Sequence, residues 1–141
     1  MTLTKSKARA AAIAGVGVAL LLSSLPVRAE EPPVGTWIDQ TGRGAVEISY
    51  CGSDLCGRVV WLKDAVNEKA CGMAILGDLK PAPGGTWAGG WIYDPDREQR
   101  FDVELTPMGN RLKVLGFAGI KLFGETVMWT RAPAGLRKCQ A

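Results

Sequence analysis

Between residues 35 and 131 apolar side chains recur at alternate positions in short runs, and glycine, proline or aspartate separates one run from the next. In "GAVEISYC", residues 44–51, Val46 and Ile48 fall on one side of an extended chain while Glu47 and Ser49 fall on the other. A period of two bounded by turn residues marks half-buried strands, and no window in this span repeats its apolar residues at helical spacing. The pattern predicts strands at residues 36–40, 44–50, 57–62, 87–94, 100–106, 111–117 and 125–131, with a weaker one at 75–79, and therefore an all-β fold.

Two turns set registers by counting. With Cys51 opposite Cys56 across Gly52-Ser53-Asp54-Leu55, Ile48 faces Val59 and Val46 faces Trp61. With Thr106 opposite Arg111 across Pro107-Met108-Gly109-Asn110, Leu105 meets Leu112, Val103 meets Val114 and Phe101 meets Gly116, while Glu104 pairs with Lys113 on the outer side. Both hairpins sort their apolar residues to one face, as a half-buried antiparallel sheet requires. Short connections in sequence order suit a sandwich or an up-and-down barrel. Gly89, Gly90 and Gly116 favour the barrel, because glycine inside a strand marks a sharp bend or a close approach. An eight-stranded barrel is either filled by its own side chains or holds one small ligand.

The first 29 residues follow another pattern. Lys5, Lys7 and Arg9 precede a small-residue apolar run over 10–22, and Val27-Arg28-Ala29 fits a signal-peptidase site, so residues 1–29 are expected to be a cleaved export signal and residues 30–141 a single domain. A membrane anchor is disfavoured, since the run is short, interrupted by glycine and followed by Pro26. Removing Lys5, Lys7, Arg9 and Arg28 leaves 13 basic against 14 acidic residues, which turns the formal net charge from +3 to −1. No basic patch for a phosphate backbone is left, and nucleic-acid binding loses its support.

Export to the periplasm or beyond places Cys51, Cys56, Cys71 and Cys139 where disulfides are the default. Cross-strand counting sets Cys51 beside Cys56 as a staple over the turn, which leaves Cys71 for Cys139. The chain has no histidine, so zinc would need all four thiolates without the paired C-x-x-C spacing; no metal or cofactor is expected. The same lack rules out Ser-His-Asp and Cys-His arrangements within the chain. Asp94, Asp96, Glu98 and Asp102 sit with Arg97 and Arg100, where a solvated charged turn explains them better than a catalytic carboxylate pair.

Aromatic residues are more suggestive. Trp87, Trp91 and Tyr93 share one parity on their strand, and together with an inward Trp61 and Phe101 they point to a common face. Trp61, Trp91, Tyr93 and Phe101 are thus candidates to line a site for an apolar or flat ligand, although a packed core accounts for the same parity. In "GIKLFG", residues 119–124, Ile120, Leu122 and Phe123 would form a hydrophobic rim between the last two strands, as a portal or as a lid; exposed, they would mark a partner or membrane-surface contact.

The segments "GTWIDQTGRGAVEISYCGSDLCGRVVWLKD", "CGMAILGDLK", "WAGGWIYDP" and "LKVLGFAGIKLFGETVMWTR", taken in order, resemble the secreted bacterial proteins grouped as domain of unknown function 2147. The resemblance implies a small lipocalin-like (calycin) β-barrel in the cell envelope with no established activity. Gly35-Thr36-Trp37 also looks like the G-x-W that opens a lipocalin's first strand, and Trp129-Thr130-Arg131 like the last-strand end whose basic residue packs across that tryptophan. In a closed barrel Trp37 and Arg131 would meet in a cation–π contact that plugs one end.

These residues favour an exported barrel that binds a small hydrophobic molecule. The alternative is a protein–protein interaction module or inhibitor of an envelope hydrolase, with loops 52–55 and 120–123 making contact and no ligand inside. An enzyme, the third reading, would need a carboxylate or tyrosine mechanism.

Overall fold

The structure, a computed structural model, describes residues 10–25 and 31–139. The basic start of the chain and the triplet Val27-Arg28-Ala29 lie outside the described residues, and residues 10–25 form neither helix nor strand. From Gly35 onward eight strands follow one another: β1 (Gly35–Ile38), β2 (Gly44–Cys51), β3 (Asp54–Leu62), β4 (Ala74–Ala82), β5 (Thr86–Asp94), β6 (Gln99–Met108), β7 (Arg111–Phe117) and β8 (Glu125–Arg131). Each pairs antiparallel with the next, and β1 pairs with β8, so the sheet closes on itself as an up-and-down barrel with no free edge.

Both counted hairpins are tighter than their sequences suggested. Cys51 lies opposite Asp54, Ile48 opposite Gly57 and Val46 opposite Val59, while Met108 lies opposite Arg111, Leu105 opposite Val114 and Val103 opposite Gly116. The cause is the same in each: Gly52 (φ 72°) and Gly109 (φ 66°) take the left-handed conformation at the first position of a two-residue turn, where four-residue loops were expected. Because the slip is two residues and the side-chain period is two, Val46, Ile48 and Val59 in the first hairpin and Val103, Leu105, Leu112 and Val114 in the second stay on the inner face. The pairing of Glu104 with Lys113 is lost; Glu104 faces Leu115 and its carboxylate takes the Lys121 ammonium.

The ladder is irregular around β4 and β5. Asp78 (φ 58°) and Gly89 (φ 78°) bend β4 and β5 at the same level, and Gly90 comes so close to β4 that a Cβ there would stand 2.2 Å from the Gly77 carbonyl oxygen. Gly116 differs, since the nearest atom to a Cβ at that position is 3.8 Å away.

Residues 33–37 pack beside the seam between β1 and β8. Trp37 is fully buried, its Nε1 donates to the Pro33 carbonyl at 2.9 Å, and Pro33 is itself buried. Arg131, directly opposite Trp37 across the β1–β8 seam, holds its guanidinium 4.1 Å from the Trp37 ring centroid and donates to the Val34 carbonyl at 3.2 Å. Gly35 must be glycine here: its φ is 129°, and a Cβ would stand 2.5 Å from Arg131 Nη1. Replacing Arg131 with alanine is expected to cost about 1–2 kcal/mol from the lost cation–π contact and hydrogen bond, which lowers the melting temperature by roughly 4–10 °C. An unchanged thermal melt would refute the contribution of this contact to closure.

Candidate functional site

The four aromatic candidates do not come together on one interior wall. Trp91 lies on the outside of the sheet, opposite Gly77 and Asp102, with its Nε1 donating to Asp78 Oδ2 at 2.9 Å and the Arg100 guanidinium 3.8 Å from its ring centroid. Gly77 makes room for it, since a Cβ there would be 2.8 Å from the indole. A shift in register between Trp87 and Gly90 breaks the parity that placed Trp87, Trp91 and Tyr93 on one face, so Trp87 points into the core and Trp91 away from it. A second shift, between Ala45 and Val46, puts Trp61 opposite Ala45 instead of Val46 and turns it from the inner face. Tyr93 is half-buried against the core cluster. Phe101, opposite Ile92, is half-buried with the Arg97 guanidinium 5.8 Å above its ring.

The indoles that do fill the barrel are Trp37, Trp87 and Trp129, packed in one cluster with Ile48, Leu55, Leu79 and Leu105. Trp129 satisfies its Nε1 on the Gln40 side-chain oxygen at 3.0 Å, and the ring of Tyr50 sits edge-on to Trp87, 6.2 Å between centroids. Leu55, expected in an exposed loop, belongs to this core. The adjacent pair Gly89-Gly90 was the signal that a bulge resets the pattern between the two tryptophans of that strand.

Among the described residues, hollows lie outside the barrel beside a strap formed by residues 132–139. The strap hydrogen-bonds through the Ala132 amide to the Thr36 carbonyl at 2.9 Å and the Cys139 amide to the Val60 carbonyl at 2.7 Å, and it ion-pairs Lys138 with Glu47. One hollow, about 380 Å³, is lined by Thr36, Arg131, Pro133, Leu136 and Lys138 among others; the second, about 160 Å³, includes Glu47, Arg58, Cys56 and Cys139. The cysteines are joined as Cys51–Cys56 and Cys71–Cys139, the second bond fixing the strap to the β3–β4 connection. Among the described residues no cluster of three or more histidine, cysteine or acidic side chains is arranged to hold a metal ion.

The charged turn does structural tasks. Asp94 Oδ1 accepts from the amides of Asp96 (2.9 Å) and Arg97 (3.3 Å), and Arg97 reaches Asp94 at 3.7 Å and Glu125 at 3.4 Å. Elsewhere Asp54 holds the Lys80 ammonium at 2.8 Å and raises its pKa above the usual lysine value through that hydrogen bond.

At the mouth away from Trp37, the β7–β8 connection presents Ile120, Leu122 and Phe123 to solvent, 60%, 84% and 82% exposed. They are not a lid. The connection is pinned from behind: the Gly119 amide reaches Asp102 Oδ2 at 3.3 Å, Lys121 folds back on Glu104, and a 3₁₀ turn over Lys121–Phe123 closes with the Gly124 amide on the Lys121 carbonyl at 2.9 Å. Gly124 packs so tightly that a Cβ would be 2.8 Å from both the Gly116 carbonyl oxygen and Leu115 Cδ1. The apolar side chains therefore project from a braced knuckle.

A closed barrel of eight sequentially paired strands, with a tryptophan–arginine stack across the seam between its first and last strands, is a lipocalin-like architecture. Residues 35–131 match the family described as uncharacterized protein conserved in bacteria (DUF2147), and the chain belongs to that family. Among solved structures it is similar to protein HP1028 from the human pathogen Helicobacter pylori, described as belonging to the lipocalin family, with 16% sequence identity, a TM-score of 0.61, and coverage of 74% of this chain and 86% of that one. No curated protein matches it. The disulfides and the bacterial family are consistent with export, and among the described residues no helix is long and apolar enough to cross a membrane.

Proposed function

We propose that this barrel is an interaction module of the bacterial cell envelope, docking a protein partner through Ile120, Leu122 and Phe123, with its interior given over to a structural core. The observation that carries the reading is the braced knuckle, on which three large apolar side chains stay exposed together. Contiguous apolar surface on a soluble domain marks a contact site, and burying three such side chains is worth a gross ~5–8 kcal/mol before the costs of association. A carrier of small hydrophobic molecules is less well supported, since Trp91 faces outward and Trp37, Trp87 and Trp129 occupy the interior with the aliphatic core. Catalysis is no better supported, because Asp94 and Asp102 are used to hold the turn and the knuckle. A periplasmic location rests on the two disulfides and on the expected export signal.

The test is a photo-crosslinking amino acid at position 122 in the exported protein, compared with the same probe at Thr126, which is exposed on β8. A discrete protein adduct from position 122 alone is expected. The double variant Leu122→Ser/Phe123→Ser, with the crosslinker moved to position 120, should lose that adduct while its melting temperature stays within about 2 °C of wild type, as for other exposed sites. Equal crosslinking at both positions, or an adduct that survives the double variant, would overturn the reading.

A further inference from the structure

Resting on that reading, we infer that the partner's docking surface is an apolar socket rimmed by lysine and arginine, because the knuckle stands in an acidic collar. Two contacts define the collar. The Gly119 amide on Asp102 ties the knuckle to β6, and Arg97 on Glu125 ties the β5–β6 turn to the residue that follows the knuckle. Asp94, Glu125, Glu104 and Asp102 are joined to one another's segments through Arg97, Lys121 and the Gly119 amide, and the tied β5–β6 turn and the start of β6 also carry the carboxylates of Asp96 and Glu98 and the cation Arg100. The cations are already engaged: Lys121 by Glu104, Arg97 by Asp94 and Glu125, and Arg100 on the Trp91 ring. Asp96 and Glu98 are exposed and hold no ion pair among the described residues, and Asp102 is exposed with the Gly119 amide as its contact.

This charge pattern selects among occupants. An anionic lipid surface attracts basic segments, and the collar has the opposite sign; three apolar side chains without a polybasic patch would give only marginal lipid binding. A second copy seated symmetrically on the same face would set acidic collar against acidic collar. A protein surface with cations around an apolar socket satisfies both parts of the knuckle. Charge complementarity of this kind acts on encounter rate and partner choice, and it is weakened by salt.

The experiment selects a displayed random-peptide library on the full mature protein, with depletion on Leu122→Ser/Phe123→Ser. Peptides that combine aromatic or leucine residues with a net positive charge are expected. Affinity of a selected peptide should fall about tenfold between 50 and 300 mM salt, and Asp96→Asn/Glu98→Gln should weaken it about three- to tenfold at low salt and little at high salt. Enriched peptides that are neutral or acidic, or that bind independently of salt, overturn the basic rim and leave apolar docking standing. Enrichment that ignores the Leu122/Phe123 substitutions, or none, overturns docking through the knuckle as well. Co-sedimentation of wild type, but not the double variant, with phosphatidylglycerol vesicles would replace the protein partner with lipid.

Discussion

Reducing both disulfides of the protein is expected to lower its unfolding free energy by about 6 kcal/mol. The chain-entropy estimate assigns about 2 kcal/mol to Cys51–Cys56, with a sequence separation of 5, and about 4 kcal/mol to Cys71–Cys139, with a separation of 68. A domain of this size is stable by roughly 5–15 kcal/mol in all, so the reduced protein should sit close to the folding threshold. Urea unfolding of the oxidised protein, of Cys51→Ser/Cys56→Ser and of Cys71→Ser/Cys139→Ser would resolve the two contributions. Removing the long-range bond should cost about twice as much as removing the staple. The reverse order would mean that the bond joining the strap to the β3–β4 connection contributes little to global stability.

Replacing Trp37 with alanine is expected to destabilise the barrel by about 3–5 kcal/mol, whereas the same change at Trp91 should cost about 1 kcal/mol. Trp37 is fully buried, satisfies the Pro33 carbonyl and carries the Arg131 guanidinium. Trp91 has one face toward Gly77 and the other under Arg100 on the outside of the sheet, where water replaces what is lost. Chemical denaturation of both variants compares inside with outside directly. Should Trp37→Ala fail to accumulate, Trp37→Phe keeps the comparison, because it preserves most of the apolar volume while removing the indole donor. Equal losses at positions 37 and 91 would contradict the two faces assigned to them.

The strands and their order were legible in the sequence, because alternation depends only on which face of the sheet is wet; the meeting of Trp37 with Arg131 was implied by the resemblance of Gly35-Thr36-Trp37 and Trp129-Thr130-Arg131 to lipocalin strand ends, and the two residues do stack. The inner and outer faces of the two hairpins were legible from the alternation, even though their registers were two residues off. Trp91 and Trp61 were not. Alternation counts positions, and a bulge such as that between Trp87 and Gly90 inserts a position without changing the residue types around it. The knuckle was legible as a hydrophobic segment but not as an exposed one. Its outward pose depends on contacts distant in sequence, Asp102 with Gly119 and Glu104 with Lys121, which no local pattern encodes.

Seven of the eight strand pairings join neighbours in the chain, and the eighth joins Trp37 to Arg131. The seven can form hairpin by hairpin at small entropic cost, whereas bringing together two residues so far apart costs about 4 kcal/mol of chain entropy and is rewarded only when the ends meet. Growth of the sheet is therefore expected to run ahead of its completion, with the seam the last pairing to form. Trp37 lies on that seam, so in a variant that keeps it as the sole tryptophan its emission is expected to change with that last pairing.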